Sequence, residues 1–515
     1  MSRARDFSED LSNRFSQVDV WAILLIALSL AISLLWIGYT DFTEDDAFIT
    51  FRIAKQIAAG NGFVYNIGER IYGTTTPLLT ILLALSIKFF SGNIISGARI
   101  LDVLASSGTL FFTWRTLRFL QRTAAEQLFP LAAILLSSKL LYMNIAGMET
   151  PIVICLMAAS WFACAQEKMK WSGFLCGLLL WTRADLIFWP LILVIMSATP
   201  KLKDAIHIAL FTGITYLPWV IFAILYFGSP IPQTVTAKWV AYSQFNHSPF
   251  TAHLSTILNY LSPFEITGSM RFLGPLMILS VIAWAIWRGQ IVREKMFVLL
   301  FAFIIVEITR LTLTRATFFN RYFIPVLWAT LVLFGVSLGM LWDTLRTTRM
   351  ASYTFNASLV LALLVTIGLG VSLAGYVKVK QTYRFENSLK QIGIWLRDNS
   401  EPQSTVLLEP LGYVGYYSER TMIDEVGLVT PAVVKLKLQH IGSDQYPSIF
   451  HPTYIILHCD DASRLQSRPE VGLAQNYTLI KEYNPLAFDP KIPKPPSDFN
   501  NLVRSSCYQI WQRSN

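Results

Sequence analysis

Charged side chains are what this chain of 515 residues has least of: Asp, Glu, Lys and Arg make up 15% of it, against 53% hydrophobic residues and a mean hydropathy of +0.46. That leaves too little polar surface for a soluble globule of this size, so lipid is the solvent for most of the chain. Cysteine is scarce as well. Cys155, Cys164 and Cys176 lie in apolar runs and Cys459 and Cys507 in the polar C-terminal part, with no metal-ligand spacing among the five. The last pair could form a disulfide if that part faces an oxidising space. No internal repeat of the kind many transporters carry is visible. The first apolar run, Trp21 to Ile37, lacks the small residues of a cleavage site and reads as a retained anchor. The net charge of +9 reads as Lys and Arg kept in cytoplasmic loops, not as a nucleic-acid surface.

What is present is a series of long apolar runs. Beyond the first they lie near 97–115, 128–146, 150–166, 171–199, 204–227, 272–289, 296–314, 321–342 and 355–376, each to be set against the ~20 residues a crossing needs. The clusters Arg3, Arg5 and Arg14; Arg115, Arg118 and Arg122; Lys168 and Lys170; Lys201 and Lys203; Arg288, Arg293 and Lys295; and Arg346 and Arg349 all belong in the cytoplasm. Two adjustments satisfy them together. Pro77 to Phe90 does not cross but lies along the outer face, and 171–199 is a hairpin turning outside near Thr182-Arg183-Ala184-Asp185. The expected fold is a polytopic α-helical membrane protein of about eleven spans over residues 1–376, N-terminus cytoplasmic, in the plasma (inner) membrane. An extracytoplasmic α/β domain over 377–515 follows, with strands at Thr405–Leu408 and Tyr454–Leu457, a helix at Asn387–Leu396 and an extended tail at 491–496.

On this topology Glu44, Asp45, Asp46, Arg52, Glu149, Arg183, Asp185, Lys238, Arg310, Arg315 and Arg321 gather at the outer ends of spans, and mid-span positions are almost free of charge. A transporter with alternating access would place polar features near the midplane, whereas one-sided charge describes a reaction chamber at the outer face. A carboxylate in a partly desolvated cleft can take a proton from an attacking hydroxyl, and Arg can neutralise a departing phosphate with two donors. The three consecutive acids would equally serve as a solvated helix N-cap, and any single Arg could snorkel to an interface. Clustered carboxylates also suit a divalent cation.

The stretch DDAFITFRIAKQIAAGNGFVYNIGERIYGTTTPLLTILLAL resembles the first outer loop of GT-C superfamily glycosyltransferases, most closely the mycobacterial terminal arabinofuranosyltransferase (AftB-like) group. Further segments fit the pattern in order. They are 147–151 (GMETP), 180–185 (LWTRAD), 232–238 (PQTVTAK), 320–325 (NRYFIP), 412–417 (GYVGYY) and 423–428 (IDEVGL). The chain departs from the pattern at Ala184-Asp185, where Pro-Glu is common, at Gln233, where Asn is common, and at Glu409, where an Asp often stands.

The resemblance implies juxtamembrane helices in the first loop, a polyprenyl-phosphate sugar as donor and inversion at the anomeric carbon. It puts the general base at Asp45 with Asp46 second. Lys238, Arg315, Arg321 and Tyr322 would face the donor phosphate, and Glu44, Glu149, Arg183 and Asp185 the sugar or acceptor. Arg52 would bind phosphate or pair with the acids. The implied activity is transfer of a sugar, arabinofuranose for this group, to a cell-envelope glycan, lipid or protein hydroxyl, with membrane lipid and no nucleic acid as surroundings. The competing readings are a lipid-linked-sugar flippase, which would release no polyprenyl phosphate, and a glycan-binding scaffold, for which the first-loop carboxylates would be dispensable.

Overall fold

The computed structural model describes residues 16–90, 92–199, 201–242, 256–259, 261–262, 273–289, 291–314, 319–347, 349–468, 473–484 and 506–514. Helix α1 (Gln17–Thr40) opens on a capping box in which Ser16 and Asp19 satisfy each other's backbone amides. Then come α2 (Asp45–Ala58), α3 (Pro77–Phe90), α4 (Ile94–Phe119), α5 (Ala124–Leu136), α6 (Ser138–Met143), α7 (Thr150–Ala165) and α8 (Met169–Thr182). The helical body continues with α9 (Phe188–Ala198), α10 (Leu202–Phe227), α11 (Gln233–Tyr242), α12 (Leu273–Trp287), α13 (Lys295–Thr314), α14 (Asn320–Leu345) and α15 (Arg349–Lys380).

Among the described residues, six helical stretches are long and apolar enough to cross a membrane: Gln17–Thr40, Ile94–Phe119, Leu202–Phe227, Lys295–Thr314, Arg321–Leu345 and Leu363–Asn399. Shorter apolar helices accompany them at Pro77–Lys88, Ala124–Leu136, Thr150–Ala165, Ala184–Ala198 and Gly274–Trp287. At ~1.5 Å per residue, α3 measures roughly 21 Å, short of a ~30 Å hydrocarbon core. The run 171–199 breaks at Arg183–Leu186, between α8 and α9. The run 128–146, expected as one piece, breaks at Ser137, whose hydroxyl accepts from Leu140 N and starts α6. Just beyond the break, Lys139 is buried with its ammonium on the Asn259 carbonyl. The membrane core gathers on α14, where Phe323, Val326, Leu327 and Trp328 are buried against Trp161, Trp189, Phe297 and Phe303.

α15 does not stop at residue 376. It runs through a π-helical stretch, Gln381–Lys390, into α16 (Gln391–Asn399) and so enters the C-terminal unit, the outer unit of the expected topology, as one helical rod. There follow β1 (Thr405–Leu408), α17 (Leu411–Ser418), β2 (Thr421–Asp424), α18 (Pro431–Leu438), α19 (Tyr446–Phe450), β3 (Tyr454–His458), α20 (Cys459–Gln466), β4 (Tyr477–Tyr483) and β5 (Tyr508–Arg513). The sheet order is β2-β1-β3-β5-β4; β1 is parallel to β2 and β3, and β5 is antiparallel to β3 and β4. Cys459 and Cys507 are joined in a disulfide where β3 ends and β5 begins. The expected tail at 491–496 lies outside the described residues.

A second apolar cluster joins the two units: Phe42, Phe48 and Phe51 of the first loop pack with Phe385, Tyr413 and Val414. Each such fully buried side chain contributes about 1.5–3 kcal/mol. Residues 47–54 of α2 are all buried, because this helix is sandwiched between body and outer unit. Two glycines of α17 permit the approach. A Cβ at Gly412 would lie 1.9 Å from the Asp45 carbonyl oxygen, and one at Gly415 would lie 1.8 Å from the Tyr65 hydroxyl.

Candidate active site

The three acids of the first loop begin α2, yet they do not act as its cap. Glu44 stands at the N-cap position but makes no cap bond. It accepts instead from the Tyr142 hydroxyl at 2.5 Å and from Lys380 Nζ at 3.2 Å. Asp45 reaches across to the outer unit, where Tyr413 N donates to Oδ1 at 2.8 Å and Gly412 N to Oδ2 at 3.2 Å. These are unpaired first-turn amides of α17, so Asp45 caps that helix and keeps a further lone pair on each oxygen. Burial pushes its carboxyl up to about 7; the Asp46 charge adds to the rise and the two amides oppose it. Asp46 turns the other way and accepts from Arg321 at 2.6 Å. Burial alone would raise the Asp46 carboxyl, but the charges of Arg321, Lys238 and Lys380 outweigh it and hold the group below its usual range. The surroundings of these adjacent carboxylates thus push their protonation in opposite directions.

The cations form a floor beside Asp46. Arg321 lies 5.1 Å from the Phe319 ring centroid and 5.7 Å from that of Tyr322, and Lys238 lies 4.9 Å from Phe319. No hydrogen bond or ion pair engages Lys238 among the described residues, and burial followed by the Arg321 charge lowers its ammonium. Two cations in one desolvated place, with Asp46 ion-paired to Arg321 and not to Lys238, can receive an anion. Glu149 is 5% exposed and within electrostatic reach of Arg183, Arg321 and Lys238. No side-chain hydrogen bond or ion pair engages it among the described residues.

Other expected residues bond to groups of the protein itself. Arg52, expected on phosphate or on the acids, pairs with none of the three acids. Its Nε, Nη1 and Nη2 donate to the carbonyls of Tyr65, Gly415 and Arg420 at 2.9, 2.6 and 2.7 Å, and the side chain is buried, because α2 passes directly beneath α17. Arg183 and Asp185, expected on sugar or acceptor, form a two-pronged pair with each other at 3.0 and 2.5 Å. Arg183 also donates to the Arg321 carbonyl at 3.1 Å and stacks 4.7 Å from the Tyr322 centroid, while Arg310, itself on Glu307, braces Asp185. The helix break at Arg183 therefore positions Arg321. Arg315 lies outside the described residues.

Sequence reasoning missed Lys380 and Arg384. Both sit past the last apolar run, where a charge looks like the start of a soluble domain, but the continuing rod carries them back over Glu44 and Asp45. The three carboxylates face three different partners and do not converge as a ligand set for a cation. The group that does converge among the described residues, Cys459, Glu482 and Cys507, has its two sulfurs bonded to each other.

With this geometry in place, the chain can be set beside known proteins. ArnT from Cupriavidus metallidurans bound to undecaprenyl phosphate matches with a TM-score of 0.59 at 12% identity, over 87% of this chain and 95% of that one. The archaeal oligosaccharyltransferase AglB from Archaeoglobus fulgidus, in complex with an inhibitory peptide and a dolichol-phosphate, matches with a TM-score of 0.58 at 12% identity, over 90% of this chain and 73% of that one. The chain has the GT-C fold. Residues 377–511 match a family model described as a domain of unknown function (DUF8728). No curated protein matches by sequence.

Proposed function

We propose that the protein is an inverting membrane glycosyltransferase that moves a sugar from a polyprenyl phosphate to a hydroxyl of a cell-envelope glycan, lipid or protein on the outer face of the plasma membrane. The observation that carries this reading is the split between Asp45, freed from ion pairing and raised to about 7, and Asp46, tied to Arg321 beside Lys238. Asp45 takes the acceptor O–H proton as the acceptor oxygen bonds to the anomeric carbon. The bond from that carbon to the phosphate oxygen breaks, and polyprenyl phosphate leaves between Arg321 and Lys238. Arabinofuranose is the sugar the sequence resemblance favours. The Cys459–Cys507 disulfide supports an extracytoplasmic outer unit, since such bonds persist in oxidising spaces.

The test is transfer by purified protein in liposomes offered a panel of radiolabelled polyprenyl-phosphate sugars and crude envelope acceptor. Wild type should yield labelled product, and Asp45→Asn should lose about 100- to 10,000-fold in rate with unchanged folding. Full activity in that variant would remove Asp45 from the role of base.

A further inference from the structure

The outer unit carries a second polar cleft that none of these assignments uses. Its two lobes, of about 330 and 390 Å³, share Glu409, Glu425 and Ser443, and each lies in the size range of ligand pockets. The cleft opens at the carboxyl ends of the parallel strands: Glu409 follows β1, Glu425 follows β2 and His458 ends β3. The chain turns to opposite sides of β1 to form β2 and β3, so this is a topological switch point, where open α/β sheets place ligands. The turn under it is rigid, since Asp424 collects the amides of Val426, Gly427, Leu428 and Val429 at 2.7–3.1 Å and so presents Glu425. Neither the Glu409 nor the Glu425 carboxylate has a hydrogen bond or ion pair among the described residues.

Two further polar groups on the lining lack partners. Tyr446 is 0% exposed, and its hydroxyl has no hydrogen bond among the described residues. In the other lobe the buried Nε2 of His458 also lacks a hydrogen bond among the described residues. Buried polar atoms of this kind are normally satisfied, so they mark where a ligand or water would bond. Lys437 and His440 add donors. Unpaired acceptors, a phenol and amine donors set around one cavity suit a polyhydroxylated ligand. A cation fits less well, because Glu409 and Glu425 do not converge with a third ligand within coordination reach among the described residues.

The cleft also adjoins the proposed chemistry. One wall is Val240 and Ala241 of α11, the helix that carries Lys238, and Arg384 on another wall is within electrostatic reach of both Asp45 and Glu409. We infer that this cleft binds the saccharide part of the acceptor, with Glu425, Glu409 and Tyr446 bonding its hydroxyls, and so feeds one hydroxyl toward Asp45. The role as acceptor site rests on the transferase reading; saccharide binding itself does not.

The experiment has two arms on the full chain in detergent. Saturation-transfer NMR with methyl glycosides of arabinose, galactose, glucose and mannose should give signal from at least one sugar with wild type and with Asp45→Asn, and lose it with Glu425→Gln/Tyr446→Phe. Glu409→Gln, a change at an exposed carboxylate, should weaken it and carries the test if the double variant melts early. No signal from any glycoside, or undiminished signal in both variants, would overturn the assignment. In the transfer assay the double variant should raise the acceptor KM roughly tenfold or more and leave the donor KM unchanged. Binding without transfer from any donor removes the transferase reading and leaves the cleft standing. Transfer with an unchanged acceptor KM removes the cleft and leaves the transferase.

Discussion

Replacing Gly412 by Ala tests whether the outer unit is part of the catalytic machinery or only its cover. The new Cβ would lie 1.9 Å from the Asp45 carbonyl oxygen and 2.7 Å from its Cγ, well inside the 3.0 Å that real Cβ atoms keep. The obstacle is backbone, so α17 must retreat. Gly412 N and Tyr413 N, now 3.2 and 2.8 Å from the carboxylate, then pass beyond the ~3.2 Å limit of a useful hydrogen bond. Two effects follow. A displacement of about 1 Å of a reacting group costs on the order of 100-fold in rate. The two amides also oppose the burial that raises Asp45, so their loss moves its pKa further above 7 and shifts the acid limb of the pH–rate profile to higher pH. Local helix stability should move the other way, because Ala is a better helix former than Gly by about 1 kcal/mol. The measurement is the rate of sugar transfer from pH 5 to 9, beside a thermal melt. An unchanged profile with an unchanged rate would refute the reasoning that α17 sets the state of Asp45.

Arg52→Met should destabilise the protein by about 3–5 kcal/mol, because three buried carbonyls lose their donors; a melt within a degree or two of wild type would show that α2 and the outer unit do not depend on this clamp. Arg321→Gln should raise the donor KM ~10- to 100-fold as a charge-assisted phosphate contact is lost, measured with donor varied at saturating acceptor. Replacing Cys459 and Cys507 by Ser should cost the outer unit about 4 kcal/mol for the loop it closes, by the chain-entropy relation; equal melting of wild type with and without reductant would contradict it.

The membrane character and the α/β C-terminal unit were legible because each rests on composition or period, which single residues carry by themselves. Pro77–Phe90 is a short helix for the same reason: its apolar run is bounded by polar sequence. The site was legible only in part. Asp45 and Asp46 are neighbours with identical side chains, and nothing in their spacing distinguishes a carboxylate that caps a helix nearly 370 positions later from one that pairs with Arg321. Arg52 reads from sequence as a charge beside acids, whereas its partners are three backbone carbonyls, a group that sequence patterns do not display. Arg183 and Asp185 were found as a motif but not as a pair, since only the fold shows that a two-residue spacing at a helix break folds the guanidinium back onto the carboxylate.

The missed residues make the same point about Lys380 and Arg384. Hydropathy ends the last span near residue 376, yet the helix persists because Phe385, Leu389, Ile392 and Leu396 keep an apolar face buried against the first loop and α17. The rod therefore delivers two further cations to the acids, Lys380 onto Glu44 and Arg384 within electrostatic reach of Asp45. Glu44, Asp45 and Asp46 are then each held by a different element: α15, α17 and α14. A site assembled from the last span, the outer unit and the central helix is complete only when all three are docked. On the proposed reading the outer unit belongs to the chemistry, and its removal should abolish transfer even where the membrane body stays folded.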